Sequence, residues 1–261
     1  MHVTLHLTNA CNLACGYCYE CHQKDYMTAE TAKKAALLAA GKGQSSCGIV
    51  FFGGEPLLCR DVIYRATAAC RDMENALNTR FHFKITTNGT LLDREFLDYS
   101  RKNRILIALS HDGTKRAHDF FRRHKDGRGS YDELESVTEE LLAAHPYAPV
   151  MMTVCPETVG EYARGIKELW NKGFRYFICS LNYAGAWDKG SVSQLKSQHS
   201  ERAEFYYTDA AFWPGLCPHP QCRWHSLCGP QTAYRDRERR PEPRKSALSP
   251  ARSAHGSRHP P

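Results

Sequence analysis

A chain of 261 residues, 42% of them hydrophobic, can bury a substantial core and suits one barrel-sized domain as well as two smaller ones; one main domain is the expectation. No apolar run approaches the roughly 20 residues needed to cross a bilayer, and Met1-His2-Val3-Thr4 lacks the basic-then-apolar layout of a secretion signal, so a cytosolic location is expected, where twelve cysteines do not form a disulfide framework. The net charge of +7 invites nucleic acid, but residues 235–261 hold eight Lys/Arg against three Asp/Glu, which leaves +2 for the rest, so neither nucleic acid nor a membrane is an expected partner.

Along the chain, short β-rich runs alternate with helical patterns. The first strand is read at residues 3–7. Thr28 is placed to N-cap an alanine-rich helix that stops at Gly41. Strands follow at 48–52, 81–86 and 105–110. Ser130 with Glu133 has the capping-box spacing, and Leu134, Val137, Leu141 and Leu142 then share one helical face. After a fifth strand at 150–155, Thr158 with Glu161 repeats the box, and Tyr162, Ile166, Leu169 and Trp170 share a face. A sixth strand is read at 174–181, and Ser191 with Gln194 gives a third box.

Repeated strand-helix units favour parallel strands joined by right-handed crossovers, in either an open doubly wound sheet or a whole or partial barrel. The pattern does not choose between them. In both, reactive groups collect after the C-terminal ends of strands. The expected division is a core at 1–208, a short Cys/His/Pro-rich segment at 209–234, and a disordered basic tail at 235–261, where Val, Ile, Met and aromatic residues are absent.

After the first strand stands Cys11-Asn12-Leu13-Ala14-Cys15-Gly16-Tyr17-Cys18-Tyr19, a C-x3-C-x2-C array on one loop. Structural zinc usually takes four ligands, whereas three cysteines on a cubane leave one iron open. The alternative is a set of structural thiols, or zinc completed by Cys21 or His22. Gly53-Gly54-Glu55-Pro56 follows the second strand, where paired glycines permit close backbone approach to a ligand and Glu55 can accept from an amine; an ordinary turn is the plainer reading.

Together these residues resemble the radical S-adenosylmethionine (radical SAM) superfamily over residues 1–207. Its succession continues in Thr87-Asn88-Gly89-Thr90-Leu91-Leu92, in Leu109-Ser110-His111-Asp112-Gly113, in His118-Asp119 with Arg122, and in Gly129-Ser130-Tyr131. The resemblance implies an α/β fold, a partial (β/α)6 TIM-like barrel followed by a poorly structured tail. It implies that Cys11, Cys15 and Cys18 bind a 4Fe-4S cluster and that SAM chelates the unique iron, giving a 5'-deoxyadenosyl radical on reductive cleavage. By the same resemblance Tyr17 lies by the adenine, Gly53, Gly54, Glu55 and Pro56 meet the methionine amine, and Asn88, Ser110, Asp112 and Arg122 lie near the ribose or carboxylate. No residue is assigned as catalytic. His111 stands where relatives usually carry an apolar residue.

The motif set is most similar to the branch that modifies peptides and proteins. This implies a ribosomal peptide maturase acting on a peptide or protein substrate, with a low-potential electron donor such as flavodoxin or ferredoxin. An anaerobic sulfatase-maturating enzyme is the alternative, and a zinc- or nucleic-acid-binding module is the alternative of another class. Cys217, Cys222 and Cys228, with His219 and His225, do not reproduce the cysteine series of that branch's C-terminal extension; a small zinc site or unligated thiols are both open, and a truncated or frame-shifted longer maturase is the expectation. Cys47, Cys59, Cys70, Cys155 and Cys179 read as small apolar core residues. Lys115, Arg116, Arg122, Arg123 and Lys125 read as a solvated basic face or a guide for an acidic peptide.

Overall fold

A computed structural model describes residues 1–41 and 45–208; the expectations for Cys217, Cys222, Cys228 and the basic tail lie outside these. Six strands form one sheet: β1 (His2–His6), β2 (Ser46–Phe52), β3 (Arg80–Thr87), β4 (Ile105–Ser110), β5 (Pro149–Val154) and β6 (Tyr176–Leu181). All are parallel and lie side by side in chain order. A doubly wound sheet reverses its strand order at a switch point, and this one never does. With right-handed crossovers, an unreversed order puts every helix on one side, which is barrel topology. Six strands wound this way, with β1 and β6 unpaired to each other, make the partial barrel.

The strands alternate as a two-residue period requires. Leu5, Cys47, Ile49, Phe51, Phe81, Phe83, Ile85, Ile105, Ile107, Leu109, Val150, Met152 and Val154 are buried against the helix layer. Their neighbours Thr4, Val50, Lys84, Leu106 and Thr153 occupy the opposite, concave face. The layer is made by α1 (Ala29–Ala40), α2 (Arg60–Leu77), α3 (Arg94–Asn103), α4 (Lys115–Phe121), α5 (Leu134–Ala144), α6 (Tyr162–Lys172) and α7 (Lys189–Thr208). Among the described residues no helix is long and apolar enough to cross a membrane.

Thr28 caps α1 as expected, its Oγ1 accepting Thr31 N–H at 3.1 Å, and Tyr162, Ile166, Leu169 and Trp170 form the buried face of α6. The three capping boxes are corrected. α5 begins at Leu134, and the Ser130 hydroxyl instead meets the Arg122 carbonyl at 2.9 Å and His118 Nε2 at 3.0 Å. Thr158 lies inside a 3-10 helix, Pro156–Glu161, that Pro156 starts and that leads into α6 without a side-chain cap. At the start of α7, Asp188 does the capping, its Oδ1 accepting Ser191 N–H at 2.7 Å.

Candidate functional site

Parallel strands put all their C-terminal ends at one edge, and the loops after β1, β2, β3 and β4 meet there. The cysteine loop is held from two sides. On one, Gly54 N–H donates to the Thr8 carbonyl at 2.8 Å and Glu55 N–H to the Ala10 carbonyl at 2.9 Å. On the other, Ala14 N–H donates to the Arg123 carbonyl at 2.7 Å and Gly16 N–H to that of Phe121 at 2.9 Å, with Leu13 fully buried between them.

The glycines of the second loop serve this approach. A Cβ on Gly53, at φ +134°, would lie 2.3 Å from the Thr8 carbonyl oxygen, and one on Gly54 would lie 2.2 Å from that of Ala10. What they admit so closely is the cysteine loop itself. Glu55 is enclosed: Oε1 accepts Leu57 N–H at 3.0 Å and the Thr87 hydroxyl at 2.8 Å, while Oε2 accepts Asn88 N–H at 2.8 Å. Burial raises its pKa against the pull of those three donors. With Pro56 at the first position, Glu55 also caps the short 3-10 helix Pro56–Cys59.

Asn88 carries the connection from β3 back to the cysteines. Its Nδ2 donates to Asn12 Oδ1 at 2.9 Å and lies 3.7 Å from Cys11 Sγ, and its Oδ1 accepts Thr90 N–H at 3.0 Å. Asn12 in turn donates to Thr90 Oγ1 at 2.7 Å.

Tyr17, immediately before Cys18, reaches the other side of the site. Its hydroxyl donates to Asp112 Oδ2 at 2.6 Å. The same carboxylate receives Arg122 through Nε at 2.9 Å and Nη2 at 3.2 Å, and Thr153 N–H at 2.9 Å. Asp112 and Arg122 are both buried, and the guanidinium lies 5.4 Å from the Tyr17 ring centroid. Burial opposes the Arg122 charge, yet Asp112, with Tyr17 and Cys15 beside it, lifts its pKa above the ordinary value. Burial likewise raises the Tyr17 hydroxyl well above its usual range. Ser110 ends β4 half-exposed on the concave face.

Cys11 and Cys15 are half-buried, Cys18 is exposed, and none of the three is in a disulfide. Burial pushes the Cys11 thiol up and the Cys15 thiol up to about 11. Among the described residues no three His, Cys, Asp or Glu side chains converge closely enough to hold a single metal ion. Structural zinc takes four convergent ligands, with sulfurs at about 2.3 Å. A cubane presents its irons at separate corners and takes thiolates spread around it, so three unpaired thiols on one anchored loop fit that group.

Cys47, Cys59, Cys70 and Cys155 are buried and Cys179 is half-buried, as their apolar reading requires. The basic stretch is a solvated face except at Arg122: Lys115, Arg116, Arg123 and Lys125 are exposed. Lys115 pairs with Asp119 at 2.9 Å and Asp132 at 2.6 Å, Arg116 with Glu161 at 3.4 Å, and Arg122 is spent on Asp112. Sequence reading missed Asn12, Thr87, Thr90 and the backbone of Thr8 and Thr153. The first three stand inside the motifs, Thr153 acts through its main-chain N–H, and Thr8 acts through its carbonyl and through a hydroxyl that accepts Ala10 N–H at 2.9 Å.

Residues 5–169 match the Radical SAM superfamily. A cysteine-type anaerobic sulfatase-maturating enzyme of Clostridium perfringens (strain 13 / Type A) is 26% identical over 178 residues, 65% of this chain and 46% of the relative. The antilisterial bacteriocin subtilosin biosynthesis protein AlbA of Bacillus subtilis (strain 168) is 28% identical over 186 residues, 67% of this chain and 39% of the relative. Native anSMEcpe with bound AdoMet and Cp18Cys peptide has a similar fold, with a TM-score of 0.72 at 21% identity over 80% of this chain and 60% of that one. The chain spans less than half the length of the curated relatives it matches.

Proposed function

The chain belongs to the radical SAM superfamily, whose members use a 4Fe-4S cluster and SAM, and from that premise we propose that it is an enzyme that modifies a peptide or protein, with Cys11, Cys15 and Cys18 as the cluster ligands. The observation that carries the reading is three disulfide-free thiols on one loop, clamped from both sides at the C-terminal edge of a parallel sheet. When bound, cluster and SAM supply the 5'-deoxyadenosyl radical that takes hydrogen from the substrate.

The chain's own residues bind, orient and shield. Asn88, donating toward Cys11, stabilises the thiolate form that a ligand must adopt. Tyr17, held by its hydroxyl, presents its ring to the adenine. Gly53, Gly54 and Ser110 border SAM. Glu55 and Pro56 serve it indirectly, because a carboxylate already taking three protein donors fixes the position of Asn88 and the turn at Leu57. Asp112 and Arg122 form the wall nearest Cys15.

A peptide substrate is supported by the subtilosin biosynthesis protein and the peptide-bound anSMEcpe among the similar proteins. Formylglycine formation on a sulfatase is the second reading, favoured by the sulfatase-maturating relatives. A cytosolic flavodoxin or ferredoxin is the electron source that suits either. The test is anaerobic reconstitution with iron and sulfide, then dithionite and SAM. About four irons per chain and formation of 5'-deoxyadenosine are expected, both lost in Cys15→Ala. Undiminished product in that variant, or zinc without iron, overturns the assignment.

A further inference from the structure

Behind the Asp112–Arg122 pair lie two enclosed histidines, His111 and His118, whose exposures are 1% and 0%. The cluster reading does not use them. Their hydrogen bonds have only one possible direction. A backbone N–H can only donate, so Asp112 N–H, 3.4 Å from His118 Nδ1, makes that nitrogen an acceptor and puts the ring proton on Nε2. That N–H then donates to Ser130 Oγ at 3.0 Å, and the Ser130 hydroxyl donates to the Arg122 carbonyl at 2.9 Å. The chain of bonds runs from the backbone of one ion-pair partner to the backbone of the other. His111 repeats the first step, its Nδ1 accepting Gly113 N–H at 3.1 Å.

We propose that His118, as the neutral Nε2–H tautomer, is a positioning residue that joins the backbones of Asp112 and Arg122, thereby fixing the ion pair that grips Tyr17 and the cysteine loop. The proposal rests on the cluster reading for its consequence in catalysis, and on geometry alone for its effect on the loop. The surroundings keep the ring neutral. From the loop after β4 come the His111 ring, 4.7 Å away, and Asp112; from α4 comes Lys115, with Arg122 just past its end; Ser130 and the Tyr131 ring, at 5.8 Å, follow, and Lys172 of α6 lies 5.1 Å from the Tyr131 ring. Burial first, then the charges of Arg122 and Lys115, hold its pKa well below 6.5. Imidazole alone accepts at the δ position while donating at ε in one rigid plane; asparagine reproduces only the acceptor, and phenylalanine reproduces only the shape.

The experiment uses the full chain, first metal-free. Hydrogen exchange read by mass spectrometry should show residues 10–19 exchanging about tenfold faster in His118→Phe, the loss expected when a buried donor goes unsatisfied, with β2 and β3 unchanged. His118→Asn, which keeps an acceptor for Asp112 N–H but not the donor to Ser130, should recover only part of the protection. In reconstituted protein, His118→Phe should raise the KM for SAM more than it lowers kcat, at full iron content. Unchanged exchange of residues 10–19 in His118→Phe, a uniform rise over the whole chain, or full recovery in His118→Asn overturns the proposal. If His118→Phe does not fold, His118→Asn decides by itself: residues 10–19 loosened with β2 and β3 still protected supports the proposal, and wild-type protection of the loop refutes it. Iron content and 5'-deoxyadenosine formation in the unaltered chain test the cluster reading separately.

Discussion

Removing the Asp112 carboxylate is the most direct perturbation of the site's architecture. In Asp112→Ala three groups lose their acceptor at once: the Arg122 guanidinium, the Tyr17 hydroxyl and Thr153 N–H. Breaking a buried ion pair from one side costs about 3–5 kcal/mol, because the remaining charge is left without compensation. The Tyr17 and Thr153 bonds share that carboxylate, so their losses overlap with this figure instead of adding to it. Against the roughly 5–15 kcal/mol that holds a typical domain folded, the variant should be severely weakened. The double change Asp112→Leu with Arg122→Met removes both charges and should return to within about 1 kcal/mol of the original, while still leaving Tyr17 without its anchor. Urea unfolding of the metal-free chain, followed by tryptophan fluorescence, measures both. An Asp112→Ala variant within about 1 kcal/mol of the original, or a double variant as unstable as the single one, would refute the view that this pair is buried and organises the site.

Gly54→Ala should displace the cysteine loop, since its Cβ would sit 2.2 Å from the Ala10 carbonyl oxygen and 2.7 Å from that of Asn9, both of them backbone. Iron uptake on reconstitution should fall with it, whereas Gly127→Ala, at φ +89° with open space around it, should cost only the ~1–2 kcal/mol of a left-handed alanine and leave iron uptake intact; equal iron in the two variants would count against the close-approach argument. Stability should also fall on acidification. His111 and His118 are held well below 6.5, first by burial, so the unfolded chain binds protons near pH 6.5 that the folded chain does not. Stability is thus full above that pH and declines below it, by up to about 1.4 kcal/mol per pH unit for each histidine. Urea midpoints at neutral and mildly acidic pH, taken as the difference between the original chain and His118→Phe, isolate the His118 share, and a difference that does not change with pH would contradict its buried neutral state.

The six strands were legible as short β-rich runs, and in β3 the alternation is strict: Phe81, Phe83 and Ile85 face the helices while His82, Lys84 and Thr86 do not. The cysteine loop was legible for a different reason, three thiols within eight residues. The capping boxes misled because a hydroxyl followed three residues later by Glu or Gln is a local pattern, and distant groups can outbid it. Ser130 finds His118 and the Arg122 carbonyl, and Asp188 displaces Ser191. The basic stretch was legible as a solvated face except for Arg122, which is buried on Asp112. Glu55 was legible as important but not as enclosed, since its donors include two main-chain N–H groups that leave no trace in composition. The repeat pattern alone left barrel and open sheet undecided; the family resemblance implied the partial barrel, and the strand order bears it out.

The two faces of the sheet carry different duties, and this bears on how such a site can acquire a substrate. A closed eight-stranded barrel fills its interior with layers of branched side chains, so interior residues are also core residues. Here β1 and β6 do not meet, and β4 joins β5 through only the Leu109–Val150 and Ser110–Met151 pairs. The concave face stays partly open: Leu106 and Ile178 are each 42% exposed, and His2, His6, His82 and Lys84 stand on it with no strand carboxylate among them. Burial is concentrated instead on the helix side, where Phe51, Phe81, Ile85 and Ile107 are enclosed. Side chains on the concave face can therefore change with little loss of packing, whereas the reactive edge is fixed by Glu55, Asn88, Asp112 and His118, which hold one another. A fold divided in this way can keep its reactive edge constant while the face beneath it is altered.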